Sequence, residues 1–221
     1  MSKTAILLGA TGFTGGILLE RLIADVSYEK IKLFSRSSVH ITSTKVEEHL
    51  VDLENLEATK DQFFADEVFC CIGTTAAKTK DKNKYKSIDY GIPVAAAKLA
   101  KQNNINMFIV LSSMGADVSS FVFYSKTKGE MERDVLAQNI PQTFILRPSL
   151  IGGHRKEFRL GEKIGKVFMT ALSPFLKGSY EKYKIIHPEI IANCMTVLAK
   201  SPVNETIISS DKIVTITKSI K

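Results

Sequence analysis

Three side chains carry the chemistry this sequence can offer. Tyr124 and Lys128 stand four apart in Phe123-Tyr124-Ser125-Lys126-Thr127-Lys128, the spacing that puts two residues on one face of a helix. A phenol titrates near ~10 and relays protons poorly at neutral pH. A neighbouring ammonium favours phenolate and brings that value down, which makes Tyr124 a candidate general acid for a carbonyl oxygen as its carbon receives hydride. Ser113 follows the apolar run Met107-Phe108-Ile109-Val110-Leu111 and can donate a hydrogen bond to the same oxygen. Taken alone, a Tyr-x-x-x-Lys pair also fits an ordinary helix surface, so the surroundings decide.

The start of the chain provides those surroundings. Ala5 to Leu8 reads as a buried strand, Gly9, Gly12 and Gly15 follow at three-residue intervals, and Ile17, Leu18, Leu22 and Ile23 then take helical spacing. Strand, glycine turn and helix is the context a dinucleotide motif requires. Amides at a helix N-terminus reach a pyrophosphate only where no Cβ intervenes, so the stretch Gly9, Thr11, Gly12, Phe13, Thr14 and Gly15 is the candidate cradle. The spacing is G-x-x-G-x-x-G rather than the common G-x-G-x-x-G, and a purely structural turn is the other reading. About 20 residues on, where an acid binds the ribose 2′-hydroxyl of NAD, the strand Ile31-Lys32-Leu33-Phe34 ends in Ser35-Arg36-Ser37-Ser38. Arg36 and the serines offer a cation and hydroxyls to a 2′-phosphate, which favours NADP(H); the alternative is a solvated arginine.

The elements that must position these groups recur as strand, then helix. Residues 45–52 and 67–73 read as the third and fourth strands, the fourth apolar throughout, as in a parallel sheet covered on both faces. Cys70 and Cys71 then point to opposite faces. A helix over 89–102 carries Pro93 in its first turn and an alanine face, 106–113 is a fifth strand, 124–138 a helix, and Thr143-Phe144-Ile145-Leu146 a sixth strand that breaks at Arg147-Pro148. This predicts an α/β, doubly wound parallel sheet in the order 3-2-1-4-5-6. Right-handed crossovers place the strands' carboxyl ends on one edge, where Gly9, Arg36, Asp52, Gly73, Ser113 and Arg147 share a crevice.

Beyond Pro148 the pattern loosens into a basic loop (152–156), helices over 163–172 and 188–200, and β-like runs at 206–208 and 213–216. We read one domain, with 1–150 as a nucleotide-binding core and 151–221 as a small substrate-side cap. His154 is a candidate substrate contact in that loop; His187, before Pro188, reads as a structural junction.

Composition bounds the rest. The 221 residues are 44% hydrophobic, with a formal net charge of +7 that attracts anions. Lys78, Lys80, Lys82, Lys84 and Lys86 have only Tyr85 as an interleaved aromatic; they read as a solvated loop, and no nucleic acid is expected as a partner. Three cysteines make no disulfide framework, and no Cys/His spacing suggests a metal. No apolar run nears the ~18 residues of a membrane span, and no signal peptide is legible. A cytoplasmic location is expected.

Taken in order, Gly9-x-x-Gly12-x-x-Gly15, Asp52, Cys71-Ile72-Gly73-Thr74-Thr75, Ser112-Ser113-x-Gly115-Ala116, Tyr124-x-x-x-Lys128-Gly129-Glu130 and Leu146-Arg147-Pro148 resemble the short-chain dehydrogenase/reductase superfamily. The resemblance covers nearly the whole chain and is strongest to the atypical branch that holds the Tat-interacting-protein oxidoreductase and NmrA-like proteins. It implies a Rossmann-type fold binding NADP(H), with Gly9, Gly12 and Gly15 at the pyrophosphate, Arg36 at the 2′-phosphate and Asp52 near the adenine. Gly73 and Thr74 flank the ribose and nicotinamide side, and Arg147 joins the cofactor set. Ser113, Tyr124 and Lys128 match the catalytic positions, Lys128 also holding the nicotinamide ribose, while Ser112 is the less favoured serine. Asp89 falls where related enzymes often have asparagine. The expected function is NADPH-dependent reduction of a small carbonyl-type substrate. The alternative is an NADPH-binding redox sensor acting through a regulatory protein partner.

Overall fold

The computed structural model describes residues 2–152 and 184–218. Its parallel sheet is built from β1 (Lys3–Leu8), β2 (Tyr28–Ser35), β3 (Val46–Leu50), β4 (Glu67–Cys70), β5 (Met107–Leu111), β6 (Gln142–Arg147) and β7 (Ile207–Ser209). The order is β3-β2-β1-β4-β5-β6-β7, the predicted order with one strand added beyond β6. The direction of winding reverses between β1 and β4, and the crevice opens there, as doubly wound sheets require.

Alternating side chains of the strands feed two separate cores. On one face Ala5 and Leu7 meet Leu18 and Leu22 of α1 (Phe13–Ala24) and Met195 and Leu198 of α5 (Pro188–Lys200). On the other, Ile6 and Leu8 meet Ala96, Ala97 and Ala100 of α3 (Ile92–Gln102) and Met131 and Val135 of α4 (Phe123–Leu136). Strands enclosed on both sides need apolar residues at every position, which is why they read as unbroken runs. Cys70 and Cys71 fall into the two different cores, both as free thiols.

Three expectations are corrected. Residues 213–216 are not a strand; they lie in α6 (Ser210–Lys218), where Ile213 is buried and Val214 and Ile216 pack on the same core. Contact with α5 outweighs the β-propensity of Ile-Val-Thr-Ile. Part of the lysine loop is a short helix, α2 (Lys82–Lys86): the Asp81 side chain accepts the Lys84 amide at 2.7 Å, and Tyr85 is buried. Residues 188–218, read as cap, extend the sheet through β7 and cover α1 with α5. His187 is the N-cap residue of α5, the junction role expected of it. The rest of the basic loop with His154, and the expected helix over 163–172, lie outside the described residues.

Candidate active site

The turn between β1 and α1 closes only with glycine. Gly9 sits at φ +89°, and a Cβ there would lie 2.8 Å from the Cys71 backbone; one on Gly15 would lie 2.1 Å from the Gly9 carbonyl oxygen. Gly12 begins the helix with no side-chain cap and no acid in the first turn. The opening amides of α1 therefore keep their partial positive charge for something else. Thr11, Gly12, Phe13 and Thr14 form one wall of a cavity of about 710 Å³.

The opposite wall comes from β5 and α4. Gly129 allows α4 to rest on the loop before it, since a Cβ there would fall 2.3 Å from the Asp117 carbonyl carbon. That close approach brings Tyr124 and Lys128 to the cavity beside Ser113, with Gly73 and Thr74 between the walls and Pro148 to Ile151 at one side. Tyr124 is 40% exposed, whereas Lys128 is buried. Ser112 and Ser113 differ sharply. Ser112 donates to Glu132 Oε1 at 2.5 Å, while the buried Ser113 Oγ has no hydrogen-bond partner among the described residues. Among the described residues, Ser113 is thus the serine of the pair with a donor to spare.

Asp89 is the residue whose role the sequence left open. It is carried on a single π turn, Ser87–Gly91, and is buried; it ion-pairs with Lys128 at 2.8 Å and accepts the Thr74 amide at 2.7 Å. Burial alone would pull the Lys128 ammonium down, but the charges of Asp89 and Tyr124 and the hydrogen bond to Asp89 outweigh it, and its pKa is raised. Lys128 therefore remains a cation at neutral pH. A buried lysine demands a counter-ion, which was a usable signal; the acid that helical i,i+4 spacing offers, however, was Glu132, one turn along. Lys78, expected in a solvated loop, also lines the cavity.

The other predicted cofactor residues stand apart from the cavity. Arg36 is exposed, and pairing of Leu8 with Phe34 sets it beside the glycine turn. Asp52 is also exposed, and its carboxylate accepts the Glu54 amide at 3.0 Å, capping a 3-10 helix. Arg147 gives its guanidinium to the buried Glu132, with Nε at 3.0 Å from Oε1. Among the described residues, no three His, Cys, Asp or Glu gather as metal ligands, and no helix is long and apolar enough to cross a membrane.

The profile of the family described as HIM1 matches residues 31–181. "Protein FMP52, mitochondrial" of Debaryomyces hansenii is 30% identical over 212 residues, spanning 91% of this chain and 90% of that protein. "Protein HTATIP2" of Rattus norvegicus is 31% identical over 183 residues, 81% of this chain and 75% of its own. In fold, the Bordetella bronchiseptica enzyme WbmG, solved in complex with NAD, superposes with a TM-score of 0.71 at 10% identity, over 99% of this chain and 78% of that one. The cytoplasmic expectation does not stand, because further fungal relatives also carry "mitochondrial" in their names.

Proposed function

This chain belongs to the HIM1 family, and we propose that it is an NADPH-dependent oxidoreductase reducing a small carbonyl compound. One juxtaposition carries the reading: a helix N-terminus uncapped, and a buried serine hydroxyl unpartnered, among the described residues face one cavity that also holds Tyr124 and Lys128. The residues suit a dinucleotide. The first amides of α1 bind its diphosphate, Arg36 beside that turn takes the 2′-phosphate, Asp52 lies toward the adenine, and Gly73 and Thr74 border the ribose. When bound, the nicotinamide supplies hydride. Ser113 donates to the acceptor oxygen and orients it. Tyr124 delivers its proton to that oxygen, and the Lys128 ammonium stabilises the phenolate left behind. Arg147, engaged with Glu132, supports the strand end instead of touching ligand.

The test is NADPH oxidation across a carbonyl panel. Wild type should turn over, and Tyr124→Phe should lose about a hundredfold or more in rate while binding NADPH as before. Unchanged turnover in the variant would refute the assignment.

A second reading, cofactor-dependent binding of a protein partner, draws on Val118, Phe121 and Val122, which are exposed in the loop leading to Tyr124. It predicts a partner captured with NADPH and released with NADP⁺; capture indifferent to the nucleotide's redox state would exclude it. For the compartment, we follow the fungal relatives to the mitochondrion, which cell fractionation would check.

A further inference from the structure

The walls of the cavity are chemically unlike. The glycine turn brings Thr11, Gly12, Phe13 and Thr14, whereas the segments around Ser113 bring Leu111, Met114, Pro148, Leu150 and Ile151. These apolar residues form one surface, because the chain leaving β5 runs beside the chain leaving β6: the Ser112 amide donates to the Leu146 carbonyl at 2.8 Å and the Met114 amide to the Pro148 carbonyl at 2.9 Å. Whatever reaches Ser113 Oγ lies against it.

Little hydrogen-bonding capacity is left there. Ser112 is held by Glu132, and Ser149 Oγ donates to the Lys184 carbonyl. On the main chain, the Leu150 carbonyl accepts the Ile186 amide at 3.1 Å, and the Gly152 amide donates to the Ile186 carbonyl at 2.8 Å. Of the three serines in these two segments, Ser113 is the one without a partner among the described residues.

We infer that the acceptor is a carbonyl compound with a hydrocarbon substituent, an aldehyde or ketone, and that Met114 and Leu150 select it over polyhydroxylated or acidic carbonyls; the inference rests on the reductase reading. A pocket that offers a few polar groups on an apolar surface orients a ligand by the former and holds it by the latter. The carbonyl oxygen takes Ser113 and Tyr124, and the substituent covers Met114 and Leu150, the latter 37% exposed. Each methylene buried in this way gains up to about fourfold in affinity. A hydroxyl in the same place gives up water for a surface that offers it no partner. Of the charged side chains in the lining, Lys128 and Asp89 are bound to each other at 2.8 Å, and Lys78 stands on the turn after Thr74. Lys78 makes an acidic acceptor the rival class.

Primary amides separate the classes without turnover, since they present the same carbonyl oxygen and are not reduced. They are titrated by calorimetry into the full chain with saturating NADPH. From acetamide through butanamide to hexanamide, affinity should rise by about two- to fourfold per methylene. Gluconamide, with the same number of carbons but a hydroxylated tail, should bind at least about tenfold more weakly than hexanamide, as should the anion of succinamic acid. Leu150→Gln and Met114→Gln should each cut the gain from acetamide to hexanamide by at least about threefold, with NADPH affinity unchanged as the control for folding. A series flat in chain length, gains untouched in both variants, or tighter binding of gluconamide or succinamate than of hexanamide would overturn the inference. The reductase reading fails separately: a carbonyl panel left unreduced, with the amide gains in place, would sink turnover and leave the ligand class standing.

Discussion

Lys128 and Glu132 are one turn apart on α4, both buried, and each has an oppositely charged partner from another element. Around Glu132, Arg147 and Ser112 satisfy the carboxylate, and none of the charge is turned to an opening. Around Lys128, the neighbours are a cavity and, among the described residues, an uncapped helix and a serine without a partner. A saturated buried pair holds a structure together; a buried charge beside unmet donors marks a place where a ligand completes the bonding.

That contrast can be pressed hardest at Glu132. Glu132→Leu strands the Arg147 guanidinium and should lower unfolding free energy by about 3–5 kcal/mol in urea melts, with NADPH affinity of the folded fraction unchanged. A large loss of affinity at full stability would erase the distinction between the two pairs. The adjacent serines sharpen it. Ser112→Ala removes a donor from a buried carboxylate and should cost about 1–3 kcal/mol of stability with turnover intact. Ser113→Ala breaks no side-chain hydrogen bond among the described residues, so stability should hold to within about 0.5 kcal/mol. Carbonyl reduction should nonetheless fall by about a hundredfold, as when an oxyanion donor is lost. The mildest expected effect lies at the rim. Arg36→Ala should weaken NADPH binding by about tenfold and leave NADH binding unchanged, measured by calorimetry.

Much of this architecture was legible in the chain. Strands buried on both faces announced themselves as apolar runs, and the glycine intervals located the turn because a Cβ at Gly9 or Gly15 collides with backbone. Ser113 could be preferred to Ser112, but why could not be read, since Glu132 reaches Ser112 across twenty positions. Asp89 lies 39 positions before Lys128, and a helical i,i+4 rule points to the wrong acid. Arg147 was placed at the right sheet edge, yet its guanidinium turns to Glu132 and away from the cavity lining. The β-branched run at 213–216 misled because packing on α5 decides a short terminal segment. Composition spoke to solvent and redox chemistry, and a cellular address is not written in either.

Calorimetric titration with NADPH of wild type and Gly12→Ala tests the account most directly, since a methyl at Gly12 would lie 3.1 Å from the Gly9 carbonyl oxygen, at the helix end that receives the diphosphate, and would press on the turn without the outright backbone collision met at Gly9 or Gly15. Wild type should bind one equivalent, and the folded variant should bind at least about tenfold more weakly. Absence of saturable binding by wild type, or equal affinity in the two proteins, would contradict the dinucleotide cradle on which the site rests.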